Sequence, residues 1–287
     1  NGALAGLLAK IQVLGAGDLL FWPTTTHPTR EIVRRLRHVP LETSFRAQYA
    51  YDNVLYTVAG EVILAVSGQP WETFVAERIL KPIGMTDSKI RHPGIGQSDN
   101  ISSTHGEVEG VVRVIAPFTS DNTNPAGGIT ASATDMAKWM MVQLDSGRVA
   151  GAAPLFAPAA TRQLWNIVTP LSPRSYTGPR QPLSSNFTGY ALGFNVLDYR
   201  RHKLVTHTGG LPGFISRVAM MPELNLGVTV LTNHESSAMD PIVWRVLDHY
   251  LGAEHDWRGV YRDLAAQNAA AIATADAASM SERRIDL

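Results

Sequence analysis

A chain of 287 residues, 45% apolar and 17% charged, is long enough to bury a sizeable core as one large domain or two packed lobes. Lys plus Arg and Asp plus Glu total 25 each, so no net basic field exists to hold a nucleic acid backbone. The absence of cysteine excludes disulfides, thiolate catalysis and Cys-ligated metals, and no apolar run reaches the roughly 18 residues of a transmembrane helix.

The chain opens on an apolar, Gly-rich stretch, 1–20. Its Gly15-Ala16-Gly17 lacks the third glycine of a dinucleotide loop, because Leu20 stands there. "FWPTTTHPTR" reads as a loop, and Thr29 is placed to cap a helix over 30–38 with Ile32, Val33 and Leu36 on one face. The basic cluster "REIVRRLRH" on that helix reads as a solvated face. The strongest helix follows Asp52: Val54, Leu55, Val58, Ala59, Val62, Ile63 and Ala65 suit burial on more than one side, and Gly68 ends it. "QPWETFVAERIL" gives another helix, with Pro70 near its start. Residues 88–124 read as irregular, with scattered valines. Pro125 and Gly127-Gly128 then make a tight bend, and Ser132 with Asp135 opens a helix to about Leu144 whose Trp139, Met140 and Met141 are core candidates. Residues 169–189 read as a loop.

After Tyr190 the period changes. "YALGFNVLDY", "KLVTHTGG", "GFISRVAMMPE" and "LGVTVLTNHE" are short β-type runs with "RR" and "ELN" as turns, which makes an antiparallel meander. A helix over 237–251 and an Ala-rich helical tail or linker follow. The expectation is an α+β fold: a helix-and-loop lobe over 1–189, sheet strands with a helix over 190–252, and the tail over 253–287.

Four segments fall into one order: "YDN" opening a buried helix, "PAGGITASATDMAKW", "THTGGLPGF" and "RVAMMPELNLGVTVLTN". Together they resemble the serine β-lactamase-like family, the group of class C β-lactamases, D-alanyl-D-alanine peptidases and family VIII esterases. "GEVILAVSGQPWETFVAERILKPIGMTDS" is similar to the segment that follows the group's Tyr-x-Asn. The resemblance covers roughly 28–252 and implies an antiparallel sheet with flanking helices and a mainly helical lobe, the site between them. It implies a bacterial serine hydrolase, periplasmic or cytoplasmic, that takes a small ester, amide or β-lactam without cofactor or metal.

The resemblance assigns the second motif to Tyr51-Asp52-Asn53 and the third to His207-Thr208-Gly209, with Gly210 following. A serine hydroxyl is a poor nucleophile until a base takes its proton. Tyr51 is the implied base; a phenol of pKa about 10 serves only if nearby cations favour its phenolate or if it relays to a lysine. Tyr49, two residues earlier, is its competitor, and the spacing to Gly60 favours Tyr51. Asn53 offers an amide donor and acceptor. Thr208 and Gly209 line the substrate, and the Gly210 N–H is the implied oxyanion donor, a role worth about 2.7–4 kcal/mol of barrier. His207 stands where β-lactamases usually carry Lys. As a weaker anchor for a carboxylate it tilts the reading toward an esterase-like hydrolase. The other histidines, His105 and His234 among them, lack ligand spacing and read as structural.

The first motif, Ser-x-x-Lys, is missing. Ser44 leads to Ala47, Ser98 to Ile101, Ser132 to Asp135 and Ser216 to Ala219, while Ser88 and Lys89 are adjacent. No Gly-x-Ser-x-Gly elbow or His-Glu-x-x-His replaces it. The nucleophile and the first strands of the sheet are therefore expected ahead of Asn1, where a signal peptide would also stand. The alternative is an inactive fragment or a binding protein that keeps the cleft. A fluorophosphonate or fluorescent penicillin is expected to leave this 287-residue chain unlabelled; stoichiometric acylation seen by intact mass would overturn the expectation.

Overall fold

The computed structural model describes residues 26–39, 49–90, 100–119 and 121–283, with side chains as far as residue 275. The 1–20 stretch, its Gly15-Ala16-Gly17 turn, the first half of the 21–30 loop, Ser44 and Ser98 lie outside the described residues.

Helix α1, Thr29–Arg35, runs into a 3-10 turn, Leu36–His38. Pro28, not Thr29, is its N-cap, and the Thr29 hydroxyl instead donates to the Asn122 carbonyl at 3.1 Å. Ile32 is fully buried against Val54. Glu31 pairs with Arg34 at 2.7 Å and Arg35 at 2.9 Å, so two of the four arginines of the basic cluster are paired within it. Helix α2, Asn53–Ser67, starts where the Asp52 carboxylate accepts from the Val54 N–H at 2.8 Å and stops at Gly68, φ 71°. Only part of its apolar sequence is covered: Leu55, Val62 and Val66 are 56%, 56% and 84% exposed. Periodicity reports what a helix can bury; among the described residues no partner lies over that face.

Helix α3, Trp71–Val75, passes through a π-helical stretch, Ala76–Leu80, into α4, Lys81–Ile83. The segment expected to be irregular contains a hairpin, β1 (His105–Val108) and β2 (Val111–Val114), turning at Glu109 and Gly110 with positive φ. The Pro125 bend is one helical turn, α5, Asn124–Gly127. α2 and α5 cross closely, because a Cβ at Gly60 would lie 2.5 Å from Pro125 Cγ. Helix α6, Ala133–Leu144, is capped by Ser132, whose hydroxyl accepts from the Asp135 N–H at 3.1 Å. The Asp135 carboxylate accepts from the Asp87 N–H and the Ser88 hydroxyl, both at 2.9 Å, and pins that loop. Met140 is core, but Met141 is 60% exposed.

Helix α7, Pro158–Leu164, precedes a six-stranded antiparallel meander in sequence order. The strands are β3 (Thr169–Leu171), β4 (Thr188–Tyr190), β5 (Asn195–Tyr199), β6 (His202–Leu211), β7 (Phe214–Met221) and β8 (Leu226–Thr232). The 169–189 segment thus supplies β3, most of β4 and a 3-10 turn, Gly178–Leu183, so the sheet reaches back across position 190. The run "YALGFNVLDY" is two strands, broken at Gly193 (φ 85°). Arg200 and Arg201 both hold positive φ in the β5–β6 turn, a twist that suits a hairpin but costs a non-glycine residue.

One sheet face, with Leu204, Ala219 and Met221, packs against α8 (Met239–Tyr250) and the start of α9 (Trp257–Arg283). The other, with Val205 and Met220, packs against α6 and the α7 region through Met140 and Trp165. Asp248 of α8 ties the first layer together. It accepts from the Arg200 guanidinium at 2.7 and 2.8 Å, from the Trp257 indole at 2.8 Å and from the Tyr199 hydroxyl. Burial alone would raise its pKa, but these donors hold the carboxyl below its ordinary value. The tail expected over 253–287 is thus anchored at Trp257, which is 1% exposed.

Gly60→Val is expected to force α2 off α5 and to destabilise the fold by roughly 1–3 kcal/mol, since overpacking against a proline ring cannot relax cheaply. Urea unfolding checks this, and an unchanged midpoint would contradict the close crossing.

Candidate active site

The two expected motifs meet between α2 and the sheet. Asp52 is extended (φ −144°) as it caps α2, so Tyr51 sits on the strand-like approach and Asn53 opens the helix, both half-buried. The Tyr51 ring lies 6.0 Å from the His207 ring, tilted by 32°. Tyr49, the competitor for that position, instead packs its ring against Tyr190 at 5.1 Å, tilted by 50°.

The strand side of the cleft follows from register. β6 pairs with β5 only from His202 to Thr206, whose partner is Asn195. It pairs with β7 as far as Leu211, opposite Phe214. Beyond Thr206 the β5 side of β6 therefore has no strand neighbour among the described residues, and Thr208, Gly209 and Gly210 are exposed there. His207 pairs with Val218 and so projects on the α6 face. A Cβ at Gly209 would sit 2.5 Å from Ser216 Oγ, whereas one at Gly210 meets only Ile215 at 3.5 Å. The narrow point is thus Gly209 rather than the pair. The turn that follows β6 fits under the β1 hairpin because Gly213 (φ 78°) has no side chain. A Cβ there would lie 2.4 Å from Thr104.

One residue not singled out in the sequence joins these. Tyr190, at the end of β4, places its hydroxyl 3.1 Å from His207 Nε2. Its ring is T-shaped to Tyr51 at 6.2 Å and to His207 at 6.1 Å. Tyr56 of α2 lies beside it as well. Burial, then the neighbouring Tyr56, Tyr51 and Tyr49, push the Tyr190 phenol well above its ordinary range, so it keeps its proton. Burial pushes His207 below the ordinary imidazole value, opposed by a hydrogen bond to the Thr208 backbone. No sequence signal pointed to Tyr190, because register aligns it through Asn195 with Thr206, the neighbour of His207 along β6 and not His207 itself.

His105 is held by the Asn233 carbonyl at 3.0 Å, away from this cluster. Among the described residues no group of three or more His, Cys, Asp or Glu could hold a metal ion, and no helix is long and apolar enough to cross a membrane.

A half-helical, half-sheet cleft with these motifs in this order marks a β-lactamase-type hydrolase fold. The chain belongs to the family described as Beta-lactamase, which it matches over residues 9–252. It is 27% identical over 268 residues to the unguisins hydrolase ungD of Aspergillus violaceofuscus, covering 83% of this chain and 45% of that protein. It is 24% identical over 210 residues to the D-alanyl-D-alanine-carboxypeptidase/endopeptidase AmpH of Escherichia coli, covering 73% and 51%. The octameric penicillin-binding protein homologue from Pyrococcus abyssi superposes with a TM-score of 0.68 at 18% identity, over 83% of this chain and 51% of the other. The chain thus spans about half the length of the relatives it matches, and those relatives include a fungal protein, so similarity alone does not assign a bacterial source.

A half-buried His207 binds a proton more weakly than the unfolded chain does. Its contribution to stability is therefore present above about pH 6.5 and lost as pH falls through the window below that value toward the folded pKa. Denaturation at pH 7 and pH 5 is expected to show a smaller acid loss for His207→Gln than for the parent chain.

Proposed function

We propose that this chain carries the base, the amide and the strand edge of an acyl-transfer site that hydrolyses small ester or amide bonds. The observation that supports this best is the Tyr51 ring 6.0 Å from His207, beside a strand edge that β5 leaves bare beyond Thr206. In this reading the Tyr51 phenolate takes the proton of a serine hydroxyl as the serine oxygen attacks the acyl carbon. The carbonyl electrons move onto oxygen and are held by the Gly210 N–H. Collapse expels the leaving group, which takes its proton from Tyr51, and water then repeats the sequence to free the acid. Asn53 steadies the lysine that belongs with the serine. Thr208 and Gly209 border the acyl group, where any added side chain at 209 would press on Ser216.

No Ser-x-x-Lys occurs in the 287 residues, so the serine and lysine of this scheme come from outside them. The same fact favours a second reading: a binding protein that retains the cleft without the chemistry. The named relatives hydrolyse unguisins or D-alanyl-D-alanine peptides. They support ester, amide and β-lactam compounds as the classes to try.

The longest product of the gene that contains this chain is assayed on p-nitrophenyl esters and amino-acid amides. Tyr51→Phe is expected to lower kcat by about 10²–10⁴-fold, the usual worth of a positioned acid–base group, with little change in thermal stability. Turnover that survives the substitution would remove Tyr51 from the mechanism. Thermal shifts with the same compounds but no turnover would favour the binding protein.

A further inference from the structure

We propose that Ser216 is a specificity-determining residue of the cleft: its hydroxyl lies over Gly209 on the His207 face of the sheet and selects acyl groups that carry a hydrogen-bonding atom beside the cleaved carbonyl over plain alkyl chains. The inference deepens the acyl-transfer reading and rests on it for how a substrate lies; the placement of the hydroxyl does not.

The placement follows from register and alternation. His207 pairs with Val218, Gly209 with Ser216 and Leu211 with Phe214. Residues two apart on a strand share a face, so Ser216 stands on the face that carries His207, in the row between His207 and Leu211. Leu211 reaches α5 on that face, where a Cβ at Gly127 would lie 3.8 Å from its Cδ2. Thr208 and Arg217 fall on the opposite face. Between His207 and the β6–β7 turn, the polar side chain on this face of the two strands is therefore that of Ser216.

Gly209 is what admits it. A Cβ at 209 would lie 2.5 Å from Ser216 Oγ but 3.9 Å from Ser216 Cβ. The hydroxyl alone occupies the space that a side chain at 209 would take, and the rest of Ser216 is at ordinary contact distance. The hydroxyl is also uncommitted. Elsewhere on these strands Thr206 spends its hydroxyl on the Val218 carbonyl at 2.6 Å, and Thr229 on the Arg217 carbonyl at 3.2 Å. The half-buried Ser216 has no such partner among the described residues.

Gly209 is exposed beside the edge of β6 that β5 leaves unpaired among the described residues. A ligand on that edge can lay a substituent across Gly209 without meeting a side chain of β6, and the side-chain atom it reaches there is Ser216 Oγ. Gly210, the implied oxyanion donor, is next along the chain. The substituent therefore sits within about one residue, roughly 3.5 Å, of the cleaved carbonyl. A hydroxyl offers one donor and two acceptor lone pairs, which match an amide N–H or C=O. A methylene in the same place shields the hydroxyl from water and returns no hydrogen bond.

N-acetylglycine p-nitroanilide and pentanoic acid p-nitroanilide have acyl chains of equal length and differ by one amide. Their affinities for the 287-residue chain are read by ligand-observed NMR titration. Ser216→Ala is expected to lower the ratio of acetylglycyl to pentanoyl affinity by about 3–10-fold, the worth of one hydrogen bond. Thr229→Val, which removes a hydroxyl already spent on Arg217, should leave the ratio where it is. Packing gives an independent readout. Gly209→Ala should lower the urea midpoint, and adding Ser216→Ala should restore most of it, because only the 3.9 Å contact then remains. An unchanged ratio in Ser216→Ala, no binding of either anilide by the parent chain, or a double variant no more stable than Gly209→Ala would each overturn the proposal. Absence of turnover would count against the acyl-transfer reading alone, since neither readout needs chemistry.

Discussion

The cleft depends on one register stop. β5 ends its pairing at Asn195, opposite Thr206, while β6 continues with β7 to Leu211. The cause is local: Gly193 turns the chain with φ 85° and returns it to β4. Two results come from the same stop. Among the described residues, the backbone of β6 beyond Thr206 is left open on one side, which is the physical requirement for any extended ligand to lie along it. Tyr190, paired with Asn195, also ends two strand spacings from β6. That is a gap of roughly 10 Å, which a phenol and an imidazole bridge from opposite sides. A β5 longer by two residues would fill the edge and separate the two rings.

Much of this was legible in the sequence because it is written in local chemistry. Asp52 is a helix cap whatever surrounds it, Gly68 is a stop, and Ser132 caps α6. The turns after β5 and after β7 were marked, the first by an Arg pair that glycine would have suited better and that Asp248 holds by one partner. What escaped was decided by distant contacts. Thr29 reads as a cap, but its hydroxyl is spent on Asn122, far along the chain. β3 and β4 lie in a stretch rich in Pro, Ser and Gly, and they form because Gly189 lets Ile167 lie flat over the strand, where a Cβ would sit 2.3 Å from it. Tyr190 carried no motif, since its role depends on which strands become neighbours.

The electrostatics divide the work between the motifs. Burial holds His207 below the ordinary imidazole value, so it brings little charge to the Tyr51 ring 6.0 Å away near neutral pH. The strand motif thus contributes shape and hydrogen bonds rather than charge. One half-buried charge pair of the sheet lies on its other side. Arg217 and Asp240 form a half-hidden pair there, 3.2 Å apart, with the Arg217 guanidinium over the Trp244 ring.

β8 sets a condition on how the chain behaves in water. Among the described residues it has β7 on one side and no strand on the other, and its sequence, Leu-Gly-Val-Thr-Val-Leu-Thr, has no charge and no proline. Natural sheets blunt such margins with lysine, proline or a bulge, because bare backbone donors and acceptors recruit any extended chain that meets them. A margin of this composition is expected to show its hazard first as self-association rather than as loss of helix or sheet.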